Sequence, residues 1–336
     1  MTNLIIMVVI GLAIVILTIV DIVWTTLWVE GGAGFITDNL SKGTWFVMTK
    51  ISGNNRKILR LTGPLLLIGT LFMWVVLLWF GWFLVFSASP QAIMNTSNPQ
   101  AISWHNVMYY SGYTLFTLGL GDYSPGGPYW QLLTALASGT GMLFFTFGAS
   151  YIISIVGAVV DKRSFSSSIS EIGKSSEEII KAAWNGKDFS DIDLLLMNLS
   201  DNLSKVAVKH KAYPLLHYYH TSDKEKTMSL TVPTIDDALS ILAYGIEDRA
   251  KPNGILLKKF RNGVKDYLDV LEETYMTKAN DPLKLPDLTK LRKAGYPVVA
   301  DDVFEKNMKG HEERRQQLLG FVLKDNWKEE DIVTSK

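Results

Sequence analysis

The chain has 336 residues, 48% of them hydrophobic, and its 33 Lys and Arg match 33 Asp and Glu. That balance leaves no basic surplus for a nucleic acid, and the absence of cysteine excludes disulfides, thiolate metal sites and cysteine nucleophiles. The charges are unevenly placed: residues 61–160 hold no Lys or Arg and one acid, Asp122, whereas residues 161–336 hold 28 basic and 29 acidic side chains, so two chemically different halves are expected.

Residues 1–29 are predicted to form a first membrane helix, since the apolar run from Leu4 to Trp28 is long enough to cross a hydrocarbon core of about 30 Å. A cleaved signal peptide fits poorly, because a basic leader and a small-x-small cleavage site are both missing. Asp21 lies late in this helix. An acid there is either functional or paired with nearby basic residues, and its closeness to the polar end favours pairing. Residues 30–60 are a polar linker with Lys42, Lys50, Arg56, Lys57 and Arg60 against Glu30 and Asp38, and Trp45-Phe46-Val47-Met48 places part of it at the interface or against the bundle.

Residues 61–161 have the layout of a pore module. Leu61 to Ser87 is a second spanning helix carrying Trp74, Trp79 and Trp82, and residues 88–103, including Asn98-Pro99, are turn-rich. Trp104 to Phe116 is a helix too short to span, of the re-entrant kind tolerated only inside protein or beside a water-filled cavity. Tyr129 to Val160 is the third spanning helix. The 30–60 linker has five Lys or Arg and the 88–128 loop none, so the linker is expected in the cytosol, the loop and the N-terminus outside, and the domain from Asp161-Lys162-Arg163 onward in the cytosol.

Between the second and third spans lies Ser111-Gly-Tyr-Thr-Leu-Phe-Thr117-Leu118-Gly119-Leu120-Gly121-Asp122-Tyr-Ser-Pro125. Thr117 to Asp122 resembles the selectivity filter of potassium channels, T-V-G-Y-G-D or T-I-G-F-G-D. Such a filter needs a strand whose backbone carbonyls face an ion, and four of them replace the hydration shell of K⁺. Gly119 and Gly121 relieve the backbone twist this requires. The plainer reading is a Gly-rich turn between membrane helices. The surrounding helices resemble the two-helix pore of bacterial ion channels and two-pore-domain potassium channels. The resemblance covers residues 61–160 and is closest from Tyr109 to Pro125. It implies K⁺ sites on the carbonyls of Thr117, Leu118, Gly119, Leu120 and Gly121, with Asp122 at the outer mouth. It also implies a bend in the inner helix at Gly141 or the nearby Gly139, for which close helix packing is the equal alternative.

The sequence departs from that family at three positions. Leu120 replaces an aromatic, Tyr113 stands where some bacterial members have an acid, and Phe116 stands where Thr is usual. A voltage-sensing helix with Arg at every third position is lacking.

Residues 162–336 are expected to form a helical cytosolic domain after a Ser-rich link, Ser164–Glu171. Amphipathic stretches fall at Ser176–Trp184, Asp191–Val208, Ile235–Asp248 and Ile255–Tyr275, with a final helix from Asp301 to Leu323. Pro233 is expected to begin a helix with Thr234 as a cap. No G-x-G-x-x-G phosphate loop occurs. His210, His217 and His220 lie close in sequence, but Pro214 disturbs the spacing and no H-E-x-x-H accompanies them, so a packed aromatic–His surface is favoured over a metal site.

The whole reads as an all-α membrane protein of three transmembrane helices with a re-entrant pore loop, in the cell membrane. It is expected to be a non-enzymatic K⁺-selective channel, homotetrameric because one loop supplies a quarter of a filter, with no cofactor beyond the transported ion. A weakly selective cation channel, a membrane-anchored interaction or sensor protein, and an anchored enzyme remain as alternatives.

Overall fold

The computed structural model describes residues 2–28, 32–53, 55–96 and 102–332, with the side chains of Thr2 and Asn3 left aside. Glu30 of the basic linker and Asn98-Pro99 of the outer loop lie outside the described residues. The protein is helical almost throughout, and its residues fall into two compact units.

The first unit comprises residues 1–47 and 64–155. It contains α1 (Thr2–Leu27), most of α2 (Phe35–Ser52), α4 (Thr62–Ser87), α5 (Trp104–Leu115) and the first part of α6 (Pro128–Ile172). Among the described residues three stretches are long and apolar enough to cross a membrane: Leu4–Leu27, Arg56–Ser87 and Pro128–Ile172. Two glycines set the approach of α1 to α4. A Cβ on Gly11 would meet the Gly81 carbonyl and Val85, and one on Gly81 would meet Val15. Small residues at such crossings let backbones pack closely where lipid offers no hydrophobic drive. Trp74, Leu78, Trp82 and Phe86 of α4 are fully buried between their neighbours. The turn-rich loop between α4 and α5 is not wholly irregular, since β1 (Ile93–Asn95) pairs antiparallel with β2 (Tyr123–Pro125), Ile93 opposite Pro125.

The second unit comprises residues 48–63 and 156–336. The linker is therefore not a free connection: α3 (Arg56–Leu59) belongs to the same unit as the C-terminal domain. Arg56 donates to the Asn326 carbonyl at 2.7 Å and lies 3.0 Å over the Trp327 ring. The predicted Ser-rich link is also absent. α6 runs through Ser164–Glu171 without a break, because Phe165 and Ile169 recur at helical spacing and are buried in the core of this unit. The Ser166 Oγ bond back to the Lys162 carbonyl is slightly unfavourable to a helix, and burial of Phe165 and Ile169 outweighs it.

The remaining elements are α7 (Ser176–Ala183), α8 (Asp193–Ala212), α9 (Met228–Ser240), α10 (Gly254–Thr274), α11 (Thr289–Lys293), α12 (Asp301–Met308) and α13 (Glu312–Lys324). α8 and α10 run side by side in parallel. Asp193 caps the Asn253 amide at 3.0 Å, Lys259 pairs with Asp201 at 2.6 Å, and the His210 ring meets Tyr267 at 5.3 Å. Their apolar faces, Leu196, Leu199 and Leu203 on one and Phe260, Val264 and Leu268 on the other, form the centre of the core.

Pro233 does not begin a helix. α9 starts at Met228, so Pro233 sits inside it, and Thr234 bonds back to the Leu230 carbonyl at 2.9 Å instead of capping. A proline this near the start forfeits one backbone donor, and complete burial of the helix offsets that loss. α9 passes into a wider π turn at Ile241–Gly245. The predicted final helix is two helices, broken by a tight turn at Lys309–His311 where Gly310 interrupts the pattern.

Candidate functional site: the pore loop

Helix α5 is buried over its last turns, from Tyr110 to Leu115, and delivers the chain to the candidate filter. Phe116, Thr117 and Leu118 amides still bond back to the carbonyls of Gly112, Thr114 and Tyr113 at 2.8–3.1 Å. From there every second residue takes the left-handed region: φ is 57° at Thr117, 58° at Gly119 and 82° at Gly121. Leu118 and Leu120 between them do not. This alternation turns successive peptide planes so that neighbouring carbonyls can share one side of the strand. The two glycines accept it without penalty. Thr117 carries a Cβ, and holding it there costs about 1–2 kcal/mol. Such strain persists only where the surroundings impose it, and it concentrates at functional sites. The hexapeptide points to the glycine twists, while the strained threonine has no signature in the sequence.

The strand is braced by tyrosines of α5 and beyond the filter. The Tyr113 hydroxyl donates to the Tyr123 carbonyl, and the Asn106 amide donates to the Tyr123 hydroxyl. Tyr109 packs edge-on against Tyr113 and Tyr123 with ring centres 5.2 and 6.0 Å away. Tyr113, expected only as a departure from the family, is thus a tie between the pore helix and the strand beyond the filter. Leu120 gives no comparable tie, and it and Leu118 are exposed on this chain. Just past β1, Thr96 donates its amide to the Asp122 carbonyl at 3.0 Å and its hydroxyl to the Gly121 carbonyl at 2.8 Å. One lone pair of Gly121 is therefore committed to the turn after β1. The Asp122 carboxylate accepts from the Tyr123 amide at 3.2 Å.

The inner helix holds the other end of α5. A helix C-terminus leaves carbonyls without intrahelical partners. Ser138 Oγ on α6 donates to the Thr114 carbonyl at 2.9 Å, and Gly141 faces the Leu115 carbonyl so closely that a Cβ there would overlap it. Gly139 has open space around its would-be Cβ. α6 is helical through both. Tryptophans of α4 complete the frame: Trp79 Nε1 donates to the Met108 carbonyl and Trp82 Nε1 to Thr140 Oγ1, each at 2.9 Å.

Among the described residues no basic side chain pairs with Asp21. It is 3% exposed, and its carboxylate accepts from the Ile36 amide (2.8 Å), the Thr37 amide (3.3 Å), the Thr37 hydroxyl (2.5 Å) and Trp74 Nε1 (2.8 Å). A carboxylate beside the first turn of α2 meets orphan amides and the positive end of the helix dipole, and these take the place of a cation. The Trp74 ring in turn lies 5.8 Å from that of Tyr151 on α6, so Asp21 fastens α2 to the packed centre of the first unit.

In the second unit the histidines join an aromatic stack. His210 lies 5.2 Å from His217, which stacks flat on Tyr275 at 4.7 Å and meets Thr274 Oγ1 at 3.0 Å. Burial, with the nearby Lys162 charge, holds the His217 pKa down to about 3. Among the described residues no three His, Cys, Asp or Glu are grouped to hold a metal ion.

A protein-family model described as an ion channel matches residues 72–158, the stretch from α4 through the candidate filter into α6. An uncharacterized membrane protein of Bacillus subtilis (strain 168), YdjJ, is 41% identical over 312 residues, which cover 93% of this chain and 92% of that protein. No solved structure matches the chain.

Proposed function

Because this chain belongs to the same family as the Bacillus subtilis membrane protein YdjJ and carries an ion-channel module in its membrane half, we propose that it conducts K⁺ selectively as a homotetramer. The observation that carries this reading is the alternating left-handed backbone at Thr117, Gly119 and Gly121 in a stretch reading Thr-Leu-Gly-Leu-Gly-Asp. A single chain contributes one carbonyl ladder, and an ion stripped of water needs rings of them, so four copies meet around one axis. The carbonyls of Thr117, Leu118, Gly119 and Leu120 line that axis. Gly121, with one lone pair on Thr96, contributes at the outer rim beside Asp122.

The pore passes ions without chemical turnover, and its outer face is the side away from the basic linker. Two features support that orientation. The linker from residue 48 shares a compact unit with the C-terminal domain, and the loop on the other side of α4 contains no Lys or Arg. Leu120, which lacks a hydrogen bond to the pore helix, favours a second reading in which the filter is loose and admits Na⁺ as well. Purified protein in liposomes separates the two: K⁺ and Rb⁺ efflux without Na⁺ efflux supports the selective channel, comparable efflux of all three the loose one, and no efflux of any cation contradicts both.

A further inference from the structure

The second unit holds a cavity of about 730 Å³ that has no part in the pore. It lies along one face of α10, where Leu257, Lys258, Arg261, Lys265, Asp269 and Glu272 follow at helical spacing, and is closed by the start of α13 and by the π turn after α9. Its size is that of a small-molecule site.

The charges along it are sorted. At one end the acids are satisfied: Asp269 lies 3.6 Å from Lys265, Lys278 meets Glu272 at 3.3 Å and Glu313 at 2.5 Å, and Gln317 donates to both Asp269 and Glu272. At the other end cations outnumber acids. Arg261 is 8% exposed, donates to Ser240 Oγ at 2.8 Å and lies 4.9 Å over the Tyr244 ring. Among the described residues no carboxylate lies within 4.0 Å of it. Lys258, exposed one turn earlier, has no ion pair among the described residues either. Arg314 takes the ion pair with Asp236 and spends a further donor on the Arg261 carbonyl, so Arg261 and Arg314 share the charge of one carboxylate.

Two guanidiniums removed from water with one carboxylate between them are only partly compensated, at a cost. The cost is explained when an anion completes the site. We propose that this cavity binds a small phosphorylated organic molecule, its phosphate between Arg261 and Lys258 and its organic part against Tyr244, Leu257 and Ala243. Phosphate is favoured over a carboxylate because it carries close to two negative charges and three acceptor oxygens, enough to meet a fixed guanidinium fork and an ammonium together. The inference is independent of what the pore selects, because it rests on another unit of the chain.

The test is isothermal titration of the full-length protein in detergent with AMP, ATP, inorganic phosphate, succinate and uncharged adenosine. AMP or ATP should bind saturably, with adenosine and succinate silent. Lys258→Glu, an exposed change that spares the core, should weaken binding at least about tenfold, a loss near 1.4 kcal/mol. Arg261→Lys should do the same, while Lys187→Glu on an exposed turn elsewhere in the unit should have no effect. Silence of all three phosphate probes overturns the proposal. Unchanged affinity in Lys258→Glu overturns the location, and succinate binding as tightly as AMP overturns the phosphate assignment.

Discussion

Replacing Gly141 with alanine and, separately, Gly139 with alanine distinguishes packing from bending in the inner helix. Alanine is favoured over glycine inside a helix by about 1 kcal/mol, so both changes start with the same gain. At Gly139 the added methyl meets nothing within 4 Å on this chain, so the gain should stand. At Gly141 it overlaps the Leu115 carbonyl, and backbone cannot rotate away as a side chain would. Overpacking of this kind costs about 1–3 kcal/mol, and a rigid neighbour puts it at the upper end. The net loss is then about 2 kcal/mol per chain. The displaced atom lies two residues before Thr117, so the candidate filter strand itself must shift. Thermal unfolding in detergent and K⁺ flux from liposomes read the two effects. Gly141→Ala should lower the melting temperature and reduce flux, and Gly139→Ala should do neither. Wild-type stability and flux in Gly141→Ala would refute the packing argument. A normally folded Gly139→Ala that no longer conducts would show that bending there is what the glycine supplies.

Acid should destabilise the second unit. His210, His217 and His220 are buried and their pKa values are lowered by burial, that of His217 to about 3. Between the ordinary histidine value of about 6.5 and these lowered values the unfolded chain binds more protons, so stability is complete above pH about 6.5 and is lost as pH falls toward 3. The Asp237 carboxyl, pushed up to about 6 by burial against the pull of Arg315, works in the opposite sense between about 4 and 6, and three imidazoles outweigh it. Melting temperatures from pH 7 to pH 4.5 should therefore fall, and His217→Phe should fall less steeply; a flat profile contradicts this. Arg315, 2% exposed, bonds Asp237 at 2.8 Å and the Leu283 carbonyl at 2.7 Å, so Arg315→Ala should cost about 3–5 kcal/mol in denaturant unfolding, and a loss below about 1 kcal/mol would contradict a buried pair. A cysteine at Thr96 should react with an impermeant reagent in intact cells and one at Lys187 only after permeabilisation; the reverse would invert the topology.

The membrane half was legible because lipid leaves the chain few options. Long uncharged runs must be helices, and a helix too short to span must turn back, so Leu61–Ser87, Trp104–Phe116 and the start of α6 stand within one or two residues of their predicted places. What was not legible depends on partners distant in sequence. Asp21 was expected to meet a cation because an acid in a helix needs compensation, but amides at the start of α2 and an indole on α4 can compensate as well, and nothing local to Asp21 announces them. The Ser164–Glu171 run looked like a link because serine is common in links. Phe165 and Ile169, four residues apart, were the stronger signal, and burial made them decisive. Arg261 could not be singled out among the many basic residues of the second half, since the excess of cations around it is a property of the packed cavity alone.

The central claim is that the Thr117–Leu120 carbonyls replace the water around K⁺. Its most direct test is the reversal potential of single channels in a planar bilayer with K⁺ on one side and Na⁺ on the other, for the wild type and for Gly119→Ala. At Gly119, where φ is 58°, the added Cβ costs about 1–2 kcal/mol per chain and is repeated in every subunit around the axis. The wild type should reverse far toward the K⁺ equilibrium potential, and Gly119→Ala should assemble normally and pass no current. A wild-type reversal near zero, or unaltered K⁺ current in Gly119→Ala, would contradict the carbonyl ladder as the source of selectivity.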